Sequence, residues 1–162
     1  MATRGCVGIG TLSSWRGIYN HDDSYPKELG KEVWGYLQKI IKKNKDLKNF
    51  SDLLGYESWV GYLHRRKGTR ANTYIITSDF PDPFYMEWVY IVDVHNEMFH
   101  VLKGEVEWKS KEKISTSEKE ITPRFDGTRV WDYGNSICWH ALIASFPIRG
   151  PEPDWESLQT AD

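Results

Sequence analysis

The sequence predicts an α+β fold: a mainly antiparallel sheet built from hairpins, with two or three helices packed against it. Runs rich in β-branched and aromatic residues come in pairs joined by short polar turns, as in 3–21 and 87–104. Between them, 29–41 places its apolar residues at spacings of three and four, the helical period. A chain of 162 residues supports one ordinary core and is short for two domains. We therefore read 1–150 as a single domain and 151–162 as a C-terminal tail, with Trp155 placed to pack back.

Thr3 to Ile9 and Trp15 to His21 read as strands around a turn at GTLSS, where Gly and Ser supply the freedom a reversal needs. Pro26 pre-sets a first helical turn, with Ser24 or Tyr25 before it as cap. Leu29, Val33, Tyr36, Leu37, Ile40 and Ile41 form the apolar helix face. Residues 49–68 predict a further helical stretch, capped by Asn49 or Ser51, broken near Gly55, and burying Leu53, Leu54, Trp59, Val60 and Leu63. Residues 72–84 begin as a strand and end in a turn, since Pro81 and Pro83 cannot sit in a central ladder. The run 87–104 is a hairpin with its polar break at His95 and Asn96 and its second strand closing at Gly104. Its near-continuous apolar character predicts burial on both faces. Residues 109–119, charged and rich in Ser and Thr, read as an exposed loop, followed by two late strands in 128–134 and 138–148.

A formal charge of −2 provides no global field to hold a polyanion, which argues against a nucleic-acid partner. The two basic stretches, 39–48 and 63–70, read as a solvated helix end and its loop. Cys6 and Cys138 are too few and too far apart for a disulfide framework or zinc knuckle, and no hydrophobic signal segment precedes Cys6. A cytoplasmic setting, in a microbial cell or phage-infected host, is expected. No run approaches the ~18 apolar residues of a membrane helix, so no membrane partner is expected. Eight Trp, nine Tyr and six Phe serve mostly as core, with exposed ones available as a ligand or partner platform.

The first hairpin concentrates the chemistry. A tight turn at Leu12 and Ser13 makes paired residue numbers sum to about 25. Val7, Ile9 and Ile18 then share a core-facing side with Arg16 at its rim. The opposite side collects Arg4, Cys6, Tyr19, His21 and Asp23 over an open floor of Gly8 and Gly17. Three chemistries use these parts. Cys6 with His21, oriented by Asp23, has the composition of a hydrolase site of the amidohydrolase kind, provided the thiol is exposed and of low pKa. His21 and Asp23, with His64, His95, His100 or His140 brought in by the fold, are metal-ligand types, but no established ligand spacing supports a metal and none is assigned. Non-covalent binding of a small polar or anionic, nucleotide-like ligand makes the lightest demand: Arg4 supplies a planar fork, Tyr19 a hydroxyl and His21 a switchable donor. Against all three stands a purely structural role, with Arg4 paired to Asp22 or Asp23 and with Asn20 and Ser24 satisfying the turn.

The stretches TRG (3–5), YNHxDSYP (19–26, with Asp22 at x) and LG (29–30) resemble a group of small uncharacterised proteins of bacteria and their tailed phages. The 87–104 hairpin is similar to a segment of the same group. The resemblance covers under a third of the chain and implies a soluble microbial or viral protein with an accessory or host-interaction role. Where the group often has an aromatic residue this chain has Asp22, which implies a more acidic pocket edge. No activity is established for the group, so no catalytic residue follows from it.

The sequence thus points first to a small-molecule-binding protein, with Arg4, Tyr19, Asn20, His21, Asp22, Asp23, Ser24 and Tyr25 around the ligand and no cofactor implied. The alternatives are a cysteine hydrolase using Cys6, His21 and Asp23, and a partner-binding inhibitor with an exposed aromatic patch.

Overall fold

Side-chain alternation in the first hairpin takes the expected register. β1 (Gly5–Gly10) pairs antiparallel with β2 (Trp15–Asn20), setting Cys6 opposite Tyr19, Val7 opposite Ile18 and Gly8 opposite Gly17. The computed structural model describes residues 3–66, 75–78, 86–110, 119–123, 129–132 and 134–160. Six further strands follow: β3 (Ile75–Thr77), β4 (Trp88–Asp93), β5 (Met98–Trp108), β6 (Lys119–Pro123), β7 (Arg129–Asp132) and β8 (Ser136–Pro147). Together they form an eight-stranded sheet in the order β3-β2-β1-β4-β5-β8-β7-β6. The fold is α+β, and the sheet is mixed: β1 and β4 run parallel, while the other neighbours are antiparallel. A parallel pair requires a crossover rather than a hairpin, and the β1–β4 seam joins two antiparallel meanders on that principle.

Pro26–Gly30 forms a π-type turn that runs directly into α1 (Lys31–Lys42). The expected face is buried at Leu29, Val33, Leu37 and Ile40, with Trp34 added, while Tyr36 and Ile41 are half-buried. Ser24 does not cap this helix; its hydroxyl is held by Asn20 instead. The helical stretch beyond breaks near Gly55 as expected, into a 3-10 helix at Leu47–Gly55 and α2 (Trp59–Leu63). Its caps are Asp46 and Ser58, whose side chains accept from the Lys48 and Gly61 amides at 2.9 and 3.1 Å, rather than Asn49 or Ser51. Val60 is 55% exposed and Leu54 and Leu63 are half-buried, while Phe50, Tyr56 and Tyr62 join Leu53 and Trp59 in the core.

Both α1 and α2 end in the same way. Asn44 (φ 54°) and Arg65 (φ 58°) adopt the left-handed conformation that closes a helix, and the next amides return to Ile40 O and Gly61 O. A final helix, α3 (Trp155–Gln159), sets Trp155 against Trp34 and Phe99.

The sheet is buried on both sides at its centre. One face packs Val7, Ile18, Tyr90, Phe99 and Val101 against the helices. The other gathers Cys6, Trp15, Met86, Val89, Ile91 and Leu102. Every residue of β4 is buried, as its continuous apolar run predicts. The second cluster corrects the open glycine floor. A Cβ on Gly17 would lie 2.6 Å from Cys6 Sγ and 2.6 Å from Val7 O, and one on Gly8 would lie 3.1 Å from the Trp15 ring. The glycines are there to admit the thiol and the indole. Gly17→Ala is accordingly expected to cost about 1–3 kcal/mol through overpacking, read as a lower urea midpoint with unchanged slope.

Gly104 does not close β5, which stays in the ladder opposite His140 and continues to Trp108. β6 was not foreseen, and the loop expected at 109–119 lies largely outside the described residues, as do 79–85. Among the described residues no helix is long and apolar enough to cross a membrane.

Candidate functional site

Among the described residues the hairpin candidates divide, with Asn20, Asp22 and Asp23 lining a cleft that Arg4, Tyr19 and His21 do not line. Cys6 is fully buried, and burial pushes its thiol pKa up, the opposite of an exposed, low-pKa nucleophile. The hydrolase assignment of Cys6 with His21 and Asp23 therefore loses its reactive group to the second core cluster. Tyr19 and His21 do meet: Tyr19 Oη and His21 Nδ1 are 3.0 Å apart at the end of β2. Partial burial raises the Tyr19 pKa, the charge of half-buried Arg4 counteracts this, and Asp22 adds to it. Arg4, Tyr19 and His21 are thus neighbours in one electrostatic environment.

Asn20 and Ser24 are spent on structure. The Asn20 amide donates to Asp22 O at 2.6 Å and to Ser24 Oγ at 2.9 Å, and Tyr90 Oη donates to Ser24 O at 2.6 Å. This network holds the bend in which Asp23 takes φ 52°. Tyr25 is only 36% exposed beside it. Asp22 and Asp23 line a separate cleft of about 270 Å³ with Glu28 and Glu32. Its wall carries four carboxylates and no cation, so its field repels the anion expected at the hairpin.

Opposite charge gathers farther along α1. A cleft of about 470 Å³ is lined by Lys39 of α1, Lys43 at its C-cap, Lys45 and Lys48 of the following segment, and Arg65 beyond α2. Five cations face one carboxylate, Asp52. The two basic stretches, each read singly as a solvated face, meet here. Cations near a helix C-terminus complement its dipole, which accounts for Lys39 and Lys43. It does not account for Lys48 or for the way Arg65 is held. Arg65 Nη2 donates to Tyr36 Oη at 2.5 Å, Nη1 lies 3.6 Å from Asp52, and the guanidinium sits 5.1 Å from the Tyr62 ring centroid. An exposed ion pair alone adds little stability. These contacts, with a hydrogen bond to Tyr56, fix the guanidinium at the wall of the cleft.

The histidines weighed as ligands are dispersed. His64 and His95 are exposed, His100 Nδ1 meets Ser145 Oγ at 2.7 Å, and His140 is buried with Nε2 at 2.8 Å from Met86 O. Among the described residues no group of three His, Cys, Asp or Glu side chains is placed to hold a metal ion. Sequence reasoning missed the basic cleft because its walls are contributed by segments about 20 residues apart, and only their individual charge runs were visible. Compared with known protein families, curated proteins and solved structures, the chain matches none, so its function has to be argued from the chemistry of these clefts.

Proposed function

We propose that the protein binds a small phosphate-bearing anion, nucleotide-like in size, in the basic cleft between α1 and the segment after α2. The observation that supports this most is the convergence of Lys39, Lys43, Lys45, Lys48 and Arg65 on one cleft, with Arg65 held by Tyr36. Arg offers a bidentate fork to phosphate oxygens and Lys a point charge, and the cleft volume lies in the range of small-molecule sites. The overall charge of −2 favours a small ligand over a long polyanion. The anion site proposed here is on the helix layer and replaces the one expected at the hairpin of the sheet. The partner-binding alternative retains one supporting observation: Val106 and Trp108, 37% and 66% exposed, lie two residues apart on β5.

Thermal melts and calorimetry with inorganic pyrophosphate and with a nucleoside diphosphate test the proposal. A ligand at ~100 times its dissociation constant adds about 2.7 kcal/mol of stability. The triple variant Lys39→Gln, Lys43→Gln, Arg65→Gln is expected to lose about 100-fold or more in affinity, from three charge-assisted contacts. Its own melting point should fall modestly, because Arg65→Gln also removes the contacts to Tyr36, Asp52 and Tyr62, so affinity is compared at a temperature where both proteins are folded. No shift with either compound, or an equal shift in the variant, overturns the proposal.

A further inference from the structure

Asp93, His100 and Ser145 lie on one face of the sheet, on three neighbouring strands. Asp93 of β4 pairs with Met98 of β5, His100 follows two residues on, and Ser145 of β8 stands opposite His100. A β-bulge sets that last pairing. Leu102 pairs with Leu142, and the same register carried on would put Ser145 opposite Phe99. The extra residue, Ile143, shifts β8 by one and brings Ser145 to His100 instead. Bulges re-aim side chains in this way and are frequent beside active sites.

The contact that results is short: Ser145 Oγ lies 2.7 Å from His100 Nδ1. With the ring proton on Nε2, Nδ1 accepts the Ser145 O–H. Ser145 is exposed, and among the described residues β7 pairs with β8 only at Ile137–Trp139, so the hydroxyl is open to solvent. The ring behind it is buried. Burial lowers the His100 pKa, against the opposing charge of Asp93, so the imidazole is neutral at neutral pH and free to take a proton. A hydroxyl, a neutral imidazole and then a carboxylate is the order of groups that activates a serine. Half-buried Met98 and exposed Pro147, the next pair on the same face, supply an apolar rest for a short acyl or aryl group.

We infer that Ser145 is a nucleophile for acyl transfer from small esters, with His100 as its general base. Ser145 Oγ bonds to the acyl carbon as its proton passes to His100 Nδ1. The ester C–O bond breaks, and the leaving oxygen keeps the electron pair and takes the proton from His100. Water, deprotonated by the same ring, then releases the carboxylic acid and restores the hydroxyl. The site is separate from the basic cleft and does not rest on it.

The test is reaction of the full chain with p-nitrophenyl acetate, followed by nitrophenolate release and by peptide mass mapping of the acetyl group. Acetyl should appear on Ser145, and Ser145→Ala, folded as the parent by circular dichroism, should lose it. His100→Gln should slow acetylation of Ser145 by about 100-fold or more, the scale of a general base. That variant also removes a buried ring, so NMR of the imidazole nitrogens in the parent gives a reading that needs no substitution: Nδ1 should carry no proton. The inference is overturned if acetyl is found on lysines alone, if Ser145→Ala releases nitrophenolate as fast as the parent, if a folded His100→Gln is acetylated at the parent rate, or if Nδ1 is the protonated nitrogen.

Discussion

Phe99→Ala is expected to lower stability by about 3–5 kcal/mol, the range for removing a buried phenylalanine ring. Phe99 is fully buried in β5 and touches each layer of the larger core. Its ring centroid lies 5.7 Å from Trp34 of α1, 6.0 Å from Tyr90 of β4 and 6.0 Å from Trp155 of α3. Few positions join the sheet, the long helix and the C-terminal helix at once. Such a ring leaves a cavity that three rigid aromatic neighbours cannot collapse into, which places the cost toward the upper end. At about 2–4 °C per kcal/mol for a chain of this size, the melting point should fall by roughly 6–20 °C. Denaturant unfolding should show a lower midpoint with the same slope. A loss below about 1 kcal/mol would mean that α3 does not seal this core.

The second large effect is a pH dependence centred on His140. The ring is buried, and its Nε2–H donates to Met86 O while Nδ1 meets no partner among the described residues. Protonation would place a charge in this buried site, so burial pulls the pKa from 6.5 down to about 4. The unfolded chain binds this proton first as pH falls. Stability is therefore complete above about pH 6.5 and declines toward pH 4, by about 3 kcal/mol, at 1.36 kcal/mol per pKa unit. Burial depresses His100 in the same direction, so part of the loss in this window belongs to it. Asp93, whose carboxyl is held low by Asn96 and the His95 amide, adds its own loss only at more acidic pH. The difference between the parent and His140→Gln isolates the His140 share: the variant should lose less stability between pH 7 and pH 4. Parallel curves for the two proteins would show that His140 is not held neutral.

Local periodicity carried the elements that depend on near neighbours. The register that sets Cys6 opposite Tyr19 follows from a tight turn and a period of two, and the α1 face follows from a period of 3.6. The doubly buried β4 was legible because an apolar run without polar relief has to be covered on both sides. The missed features depend on what arrives from elsewhere. Whether Cys6 faced solvent or core was decided by Met86, Val89, Ile91 and Leu102, about 80 or more residues away. The lone parallel pair depended on which edge of β1 the chain returned to after β3.

The class of fold and the hairpin register follow from steric and hydrophobic patterns a few residues long, and the charge of each segment from its own residues. Tertiary structure alone decided which charges face one another. It brought Arg65 to Lys39 and Lys43, brought Trp59 to Glu32, and removed the thiol from solvent. Electrostatic fields and desolvation depend on distance through space, and distance along the chain does not encode that.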